Sequence, residues 1–155
     1  MTAPSNVSPV NLKKNTRATI VNRTLNVSED ALIECVPNFS EGRDNGVVEQ
    51  IITAISQFDV SILDYSSDSD HNRSVVTFVG HPHAVQKAMY AGMECASTLI
   101  DMDKQRGVHP RIGATDVVPF IHLRNITLTE SIAITRQFAK NVADTLHIPV
   151  YLYDQ

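Results

Sequence analysis

Cysteine is scarce: only Cys35 and Cys95 occur in the 155 residues. One falls on a predicted strand and the other on a predicted helix, so neither a disulfide framework nor a thiolate metal cage can be built. Two reduced, buried thiols are expected instead. Long hydrophobic runs are also missing, since Ile51, Ile52 and Ile55 are soon followed by Gln57 and Asp59. Nothing approaches the roughly 20 apolar residues needed to cross a bilayer. Positive charge is in deficit, 13 Lys and Arg against 17 Asp and Glu for a net charge of -4, and no basic stripe suits a phosphate backbone. Membrane and nucleic acid are therefore excluded as expected partners. What remains is a soluble chain whose 43% hydrophobic content suits one ordinary domain with its own core.

Acidic residues are absent before Glu29, in a segment rich in Thr, Asn, Ser and Pro that carries Lys13, Lys14, Arg17 and Arg23. This composition predicts a disordered basic tail over residues 1–30 and a folded domain over 31–155. An organellar transit peptide is the alternative, but the helical apolar stripe it would use is missing, so the expected location is the cytoplasm.

From Ala31 the pattern is regular. The run to Val36, stopped by Pro37-Asn38, predicts a strand. Val47, Ile51, Ala54, Ile55 and Phe58 recur at helical spacing after Asp44-Asn45, either of which can cap the first turn. Residues 60–65 and 74–79 are β-branched and aromatic runs around the polar stretch 66–73. Gly80-His81-Pro82 precedes a second helix to about Ile100, with Val85, Ala88, Met89, Gly92, Ala96 and Leu99 on one face. A polar loop over 101–115 then leads to a strand at 117–121. Thr127 to Glu130 has capping-box spacing before a third helix marked by Ile132, Ala139, Val142 and Leu146, and Pro149 to Tyr153 predicts a closing strand.

The predicted order is β-α-β-β-α-β-α-β, whose first six elements match the split βαβ arrangement. The expected fold is therefore α+β, a ferredoxin-like two-layer sandwich with a mixed sheet and helices on one face. The bare face of such a sheet needs a cover that no further element of the chain supplies, which implies a second domain or another subunit.

Three polar clusters can carry chemistry. The first, Pro37-Asn38-Phe39-Ser40-Glu41-Gly42-Arg43, combines an amide, a hydroxyl, a carboxylate and a guanidinium beside a helix start, suited to a polar or anionic ligand or simply to capping the helix. The second runs from Asp64 to Arg73. Asp68, Asp70 and Asn72 match the first ligand positions of a calcium loop, but Arg73 stands at the required Gly and Val79 at the bidentate Glu, so calcium is rejected. The mixed charges suit a zwitterionic substrate, with Arg73 pairing a carboxylate and Asp70 orienting a nearby imidazole; a solvated hairpin tip is the plainer reading. The third, Gly107-Val-His109-Pro110-Arg111-Ile-Gly113-Ala-Thr115-Asp116, is the most informative. Its glycines permit close backbone approach, and an imidazole flanked by Arg111 and Asp116 suits proton transfer. His81-Pro-His83 lacks a third ligand at suitable spacing, so no metal is expected there and a helix-start role is.

Three stretches in this order, Glu34 to Arg43, Asn72 to Gly80 and His109 to Val117, resemble the N-terminal subdomain of glutamate formimidoyltransferases, and Leu99-Ile-Asp-Met102 and Ile148 to Tyr153 extend the likeness over nearly everything from Ala31 onward. The resemblance implies transfer of a formimidoyl group from N-formimidoyl-L-glutamate to N5 of tetrahydrofolate, the acceptor substrate, in histidine degradation and one-carbon metabolism. It implies His109 as the general base and acid, with Arg73 and Arg111 holding carboxylates and Asn38, Asp68, Asp70, Asn72 and Asp116 as further substrate-binding positions. It also implies a second, similar subdomain facing this one across the folate site, a cover supplied by that subdomain or by a homo-oligomer. The family's usual His-x-Gly-Glu-His approach is altered, with Gln105 and Val108 at its first and fourth positions, and His122 stands where proline is usual. Losing a charged neighbour beside the imidazole predicts reduced or altered activity. A noncatalytic folate-binding or protein-interaction module derived from the same family is therefore the alternative, and a structural partner pairing through its open sheet a third reading.

Overall fold

The computed structural model describes residues 27–108 and 110–153. The tail expected over 1–30 lies outside the described residues except for its last four positions, and His109 lies outside them as well.

The elements run β1 Leu32–Cys35, β2 Asn38–Phe39, α1 Asn45–Ser56, β3 Val60–Asp68, β4 Arg73–Gly80, α2 Pro82–Leu99, β5 Thr115–Val117, β6 Phe120–Arg124 and α3 Leu128–Leu146. β4 is the centre of the sheet. It pairs along its whole length with β3, and on its other side with β1 through Cys35↔Phe78 and with β2 through Phe39↔Ser74. β6 and β5 then pair with β1 and β2 in turn. The α+β two-layer class is as expected, but every pairing is antiparallel, where a mixed sheet was predicted. The reason is that the strands joined through α1, which run parallel, are separated by β4 lying between them.

Prolines explain where two of the long strands break. Pro37 separates β1 from β2 and Pro119 separates β5 from β6, each lacking the N–H a ladder needs. The two breaks lie side by side, Val36 N donating to the Pro119 carbonyl at 3.4 Å and the Pro37 carbonyl accepting from Val76 N at 3.2 Å. Because the ladder resumes at Asn38, the first polar cluster begins as a strand rather than as a loop.

Alternation sorts the strands. Ile33, Cys35, Phe39, Val76 and Phe78 face the helices and are fully or almost fully buried. Ile51 and Ile55 of α1, Val85, Met89 and Ala96 of α2, and Phe138 and Val142 of α3 join them in one cluster, so all three helices cover the same face. Each side chain of this size withdrawn from water contributes about 1.5–3 kcal/mol. On the other face Glu34, Val75, Thr77 and Val79 are half-buried and Ile121 is exposed.

Helix starts follow local chemistry. Asp44 caps α1 through Gly46 N, His81 caps α2 with Pro82 in its first turn, and Thr127 and Glu130 form the capping box of α3. The buried stripe of α3 is Ser131, Ile134, Phe138 and Val142, of which only Val142 was predicted. Phe138 meets Phe120 edge-on at 5.1 Å, a tertiary contact that sets which side of the helix turns inward. The closing strand predicted at 149–153 does not form, because strand-forming side chains need a neighbouring ladder and this segment joins none among the described residues. No helix among the described residues is long and apolar enough to cross a membrane.

Candidate functional site

The break after β2, the β3–β4 turn and the long segment after α2 bring all three polar clusters to one end of the sheet. Their centre is Glu41, only 7% exposed. Its Oε1 accepts from three successive backbone N–H groups, Gly42 at 3.0 Å, Arg43 at 2.8 Å and Asp44 at 3.0 Å. Burial opposes the negative charge, but those N–H groups together with the Gln105 amide outweigh it and hold the carboxyl below the ordinary glutamate value. Oε2 accepts from Gln105 Nε2 at 2.5 Å, and Gln105 Oε1 in turn accepts from Asn72 Nδ2. Asn72, 3% exposed, also donates to the Arg106 carbonyl at 3.2 Å and accepts from Gly42 N at 3.0 Å. One buried polar network thus joins the three segments.

Asn72 adopts the left-handed conformation, φ 51°, which an asparagine tolerates better than most residues. Its turn is tighter than the sequence suggested: the strands extend to Asp68 and from Arg73, leaving residues 69–72 at the tip. Asp68 Oδ1 accepts from the backbone of Asp70 and of His71, each at 2.9 Å, and Oδ2 meets His71 Nδ1 at 2.8 Å. The His71 N–H and ring keep the Asp68 carboxyl below its ordinary value. The carboxylate that orients an imidazole at this tip is therefore Asp68, whereas the Asp70 carbonyl accepts from Val108 N at 3.3 Å and ties the tip to the third segment. Arg73 lies opposite Asp68 in the ladder. Together with Ser66, His71 and Val75 they line a shallow depression carrying both signs of charge. Asn38 pairs with Val75 in register, placing it on the same face, and its amide donates to the Val36 carbonyl at 3.2 Å.

The third segment is braced from within. Asp116 Oδ1 accepts from Ile112 N at 2.9 Å and Gly113 N at 3.2 Å, while Ser40 Oγ donates to the Gly113 carbonyl at 2.8 Å and approaches Asp116 Oδ2 at 3.3 Å. Arg111 Nη2 donates to the Gln105 carbonyl at 3.2 Å, and its Nη1 is buried with no acceptor among the described residues. The close approach expected at Gly107 is present: a Cβ there would lie 2.3 Å from the His71 carbonyl oxygen. Val108 and Ile112 are apolar yet 78% and 89% exposed. His81 has the helix-start role, accepting from His83 N at 3.3 Å, and burial, followed by the charges of His81 and Lys87, lowers the His83 pKa.

Of the predicted residues, Asn38, Asp68, Asp70, Asn72, Arg73, Arg111 and Asp116 all fall within this assembly. Asn72, Arg111 and Asp116 spend hydrogen-bonding capacity on holding loops together. The sequence reading counted Glu41 only as one member of a polar loop suited to a ligand or to capping the helix, and treated Gln105 only as a departure. The signal available was the turn Glu41-Gly42-Arg43-Asp44, in which a carboxylate can accept from the N–H groups of the residues that follow it.

A two-layer α+β domain with three polar segments gathered at one end of the sheet is the class the geometry defines. Residues 32–155 match the formiminotransferase domain, N-terminal subdomain. The chain belongs to that family. It is 46% identical over 124 residues to a protein named glutamate formimidoyltransferase from Streptococcus pyogenes serotype M1, covering 79% of this chain and 42% of that protein. A protein of the same name from Thermoplasma acidophilum is 48% identical, with 79% and 41% covered. Formimidoyltransferase-cyclodeaminase of Rattus norvegicus is 44% identical over 125 residues, 80% of this chain and 23% of that protein. The chain thus spans well under half the length of these relatives.

Proposed function

We propose that this domain is one half of a formimidoyl-transfer site, moving the formimidoyl group of N-formimidoyl-L-glutamate to N5 of tetrahydrofolate in histidine degradation. The supporting observation is the convergence of the three polar segments at one end of the sheet, Gly42 on Asn72, Glu41 and Asn72 on Gln105, and Ser40 on Gly113. In this reading His109 removes the N5 proton as nitrogen attacks the amidine carbon. A tetrahedral adduct forms, the bond from carbon to the glutamate nitrogen breaks, and the same imidazole returns the proton to that leaving nitrogen. Arg73, in its mixed-charge depression, pairs with a substrate carboxylate while Asp68 and His71 fix the rim. Asn38 and Asp70 orient the substrate from the neighbouring strand and turn. A second subdomain, or another copy, covers the open face and completes the folate site.

The test is transfer by this chain supplied with its complementary half. His109→Ala should lower kcat by about 10²- to 10⁴-fold, the usual range for general acid–base catalysis. An unchanged rate in that variant rejects the assignment. A folate-binding module without turnover is the second reading, favoured by the exposed, uncharged Val108 next to His109. Saturable binding of a reduced folate with no transfer, even with the complement present, selects it.

A further inference from the structure

Gln105 meets two buried partners of opposite hydrogen-bonding need. Glu41 Oε2 offers only an acceptor to it, at 2.5 Å, while Asn72 Nδ2 offers only a donor. A side-chain amide has one group of each kind at the required separation, and only one orientation of it satisfies both. A carboxylate would present two acceptors and an ammonium only donors. The Gln105 main chain extends the grip, because its carbonyl accepts from Arg111 Nη2 at 3.2 Å, closing a ring from 105 to 111. The segment from Gln105 to Val108 is therefore held to the loop before α1 through the Gln105 side chain and tied to Arg111 through the Gln105 carbonyl. Further ties to the β3–β4 turn are Val108 N to the Asp70 carbonyl at 3.3 Å and the Arg106 carbonyl to Asn72 at 3.2 Å.

We infer that Gln105 is a positioning residue that anchors residues 105–108, the stretch leading into the proposed transfer site, by bridging Glu41 and Asn72 through the two ends of its amide. This rests on the proposed reading of that transfer site. Gln105 is assigned no contact with substrate; it acts through the backbone it anchors. Reacting groups misplaced by about 1 Å can lose on the order of 100-fold in rate.

The decisive variant is Gln105→Glu, nearly isosteric but unable to donate to Glu41 while both carboxyls are ionised. Two carboxylates this close retain a shared proton as pH falls, which restores a bridge. The full chain is examined by amide hydrogen exchange at pH 5 and pH 8, and by transfer kinetics with the complementary half. Expected in the variant is at least about 10-fold lower protection of the Val108 amide at pH 8, as befits loss of a charge-assisted bond, recovering toward wild type at pH 5. The kcat should fall about 100-fold at pH 8, with KM for formimidoylglutamate within about 2-fold. Gln105→Asn, with both groups on a shorter stem, should lose protection equally at the two pH values. Unchanged protection in Gln105→Glu at pH 8, or the same pH-independent loss as in Gln105→Asn, overturns the proposal. A wild type without transfer activity, together with the pH-dependent exchange pattern in Gln105→Glu, instead rejects the transferase reading and leaves the bridge standing.

Discussion

Gly107 and His71 are in such close contact that a Cβ on Gly107 would stand 2.3 Å from the His71 carbonyl oxygen and 2.5 Å from Arg111 Nη1. No glycine among the described residues has a positive φ, so the requirement here is room rather than backbone freedom. Gly107→Ala must push the third segment away from the β3–β4 turn. The expected loss is about 1–3 kcal/mol, as for other overpacked sites, read from urea denaturation. Gly113→Ala, whose Cβ would meet nothing nearer than Thr115 O at 3.2 Å, should lose less. Equal losses in the two variants count against this contact as the reason for Gly107.

Glu41 makes stability depend on pH with a definite sign. Its folded-state pKa is lowered, so its contribution is fully present above the unfolded-state value, near 4.5, and is lost as pH falls through the folded value. Glu41→Gln removes the charge from a site built of three N–H groups and an amide donor. The variant should be less stable by about 1.5–3 kcal/mol at pH 7, the range for hydrogen bonds to a charged group. That difference should shrink on acidification below pH 4.5. Thermal melts across pH 3 to 7 check it, and a gap that stays constant or widens toward acid contradicts the role given to the carboxylate.

Thr127 and Glu130 provide a control far in chemistry from the polar end. Thr127 Oγ1 accepts from Glu130 N at 3.2 Å and Glu130 Oε2 accepts from Thr127 N at 2.8 Å. Thr127→Ala should lower stability by about 1 kcal/mol, the ordinary effect of losing an N-cap. Transfer kinetics at a temperature where the variant is folded should be unchanged.

That same box was legible in sequence because capping is local, the signal and the structure lying within four residues. The Asp44 cap and the Pro82 start of α2 were readable for the same reason. What escaped was set by distant partners. Ile134 and Phe138 turn inward because Phe120 lies beneath α3, and 149–153 has strand-forming side chains but no ladder to join. At the polar end the residue types of the three segments could be read, but their division of labour could not. Asp116 and Asn72 carry the groups expected of substrate ligands, and only their hydrogen bonds to Gly113 and Gln105 show that they also brace the loops.

Asn72 combines two requirements that substitution can separate. Its backbone is left-handed at φ 51°, and its buried amide donates to Gln105 and to the Arg106 carbonyl while accepting from Gly42 N. Alanine loses the amide and also meets the left-handed penalty of roughly 1–2 kcal/mol, whereas glycine loses the amide but not the backbone fit. Asn72→Ala should therefore be less stable than Asn72→Gly by about 1 kcal/mol, the glycine's greater unfolded-state entropy taking back part of the difference. Both variants should fall below wild type, because Gln105 Oε1 would be left without the Asn72 donor. Asn72→Asp keeps the left-handed tolerance but removes the donor and brings a second charge toward Glu41, so it should resemble the glycine variant or fall below it at pH 7 and improve on acidification. Denaturant midpoints for the three variants rank the contributions. If Asn72→Gly matches wild type, the conformation alone explains the asparagine and the amide network is incidental.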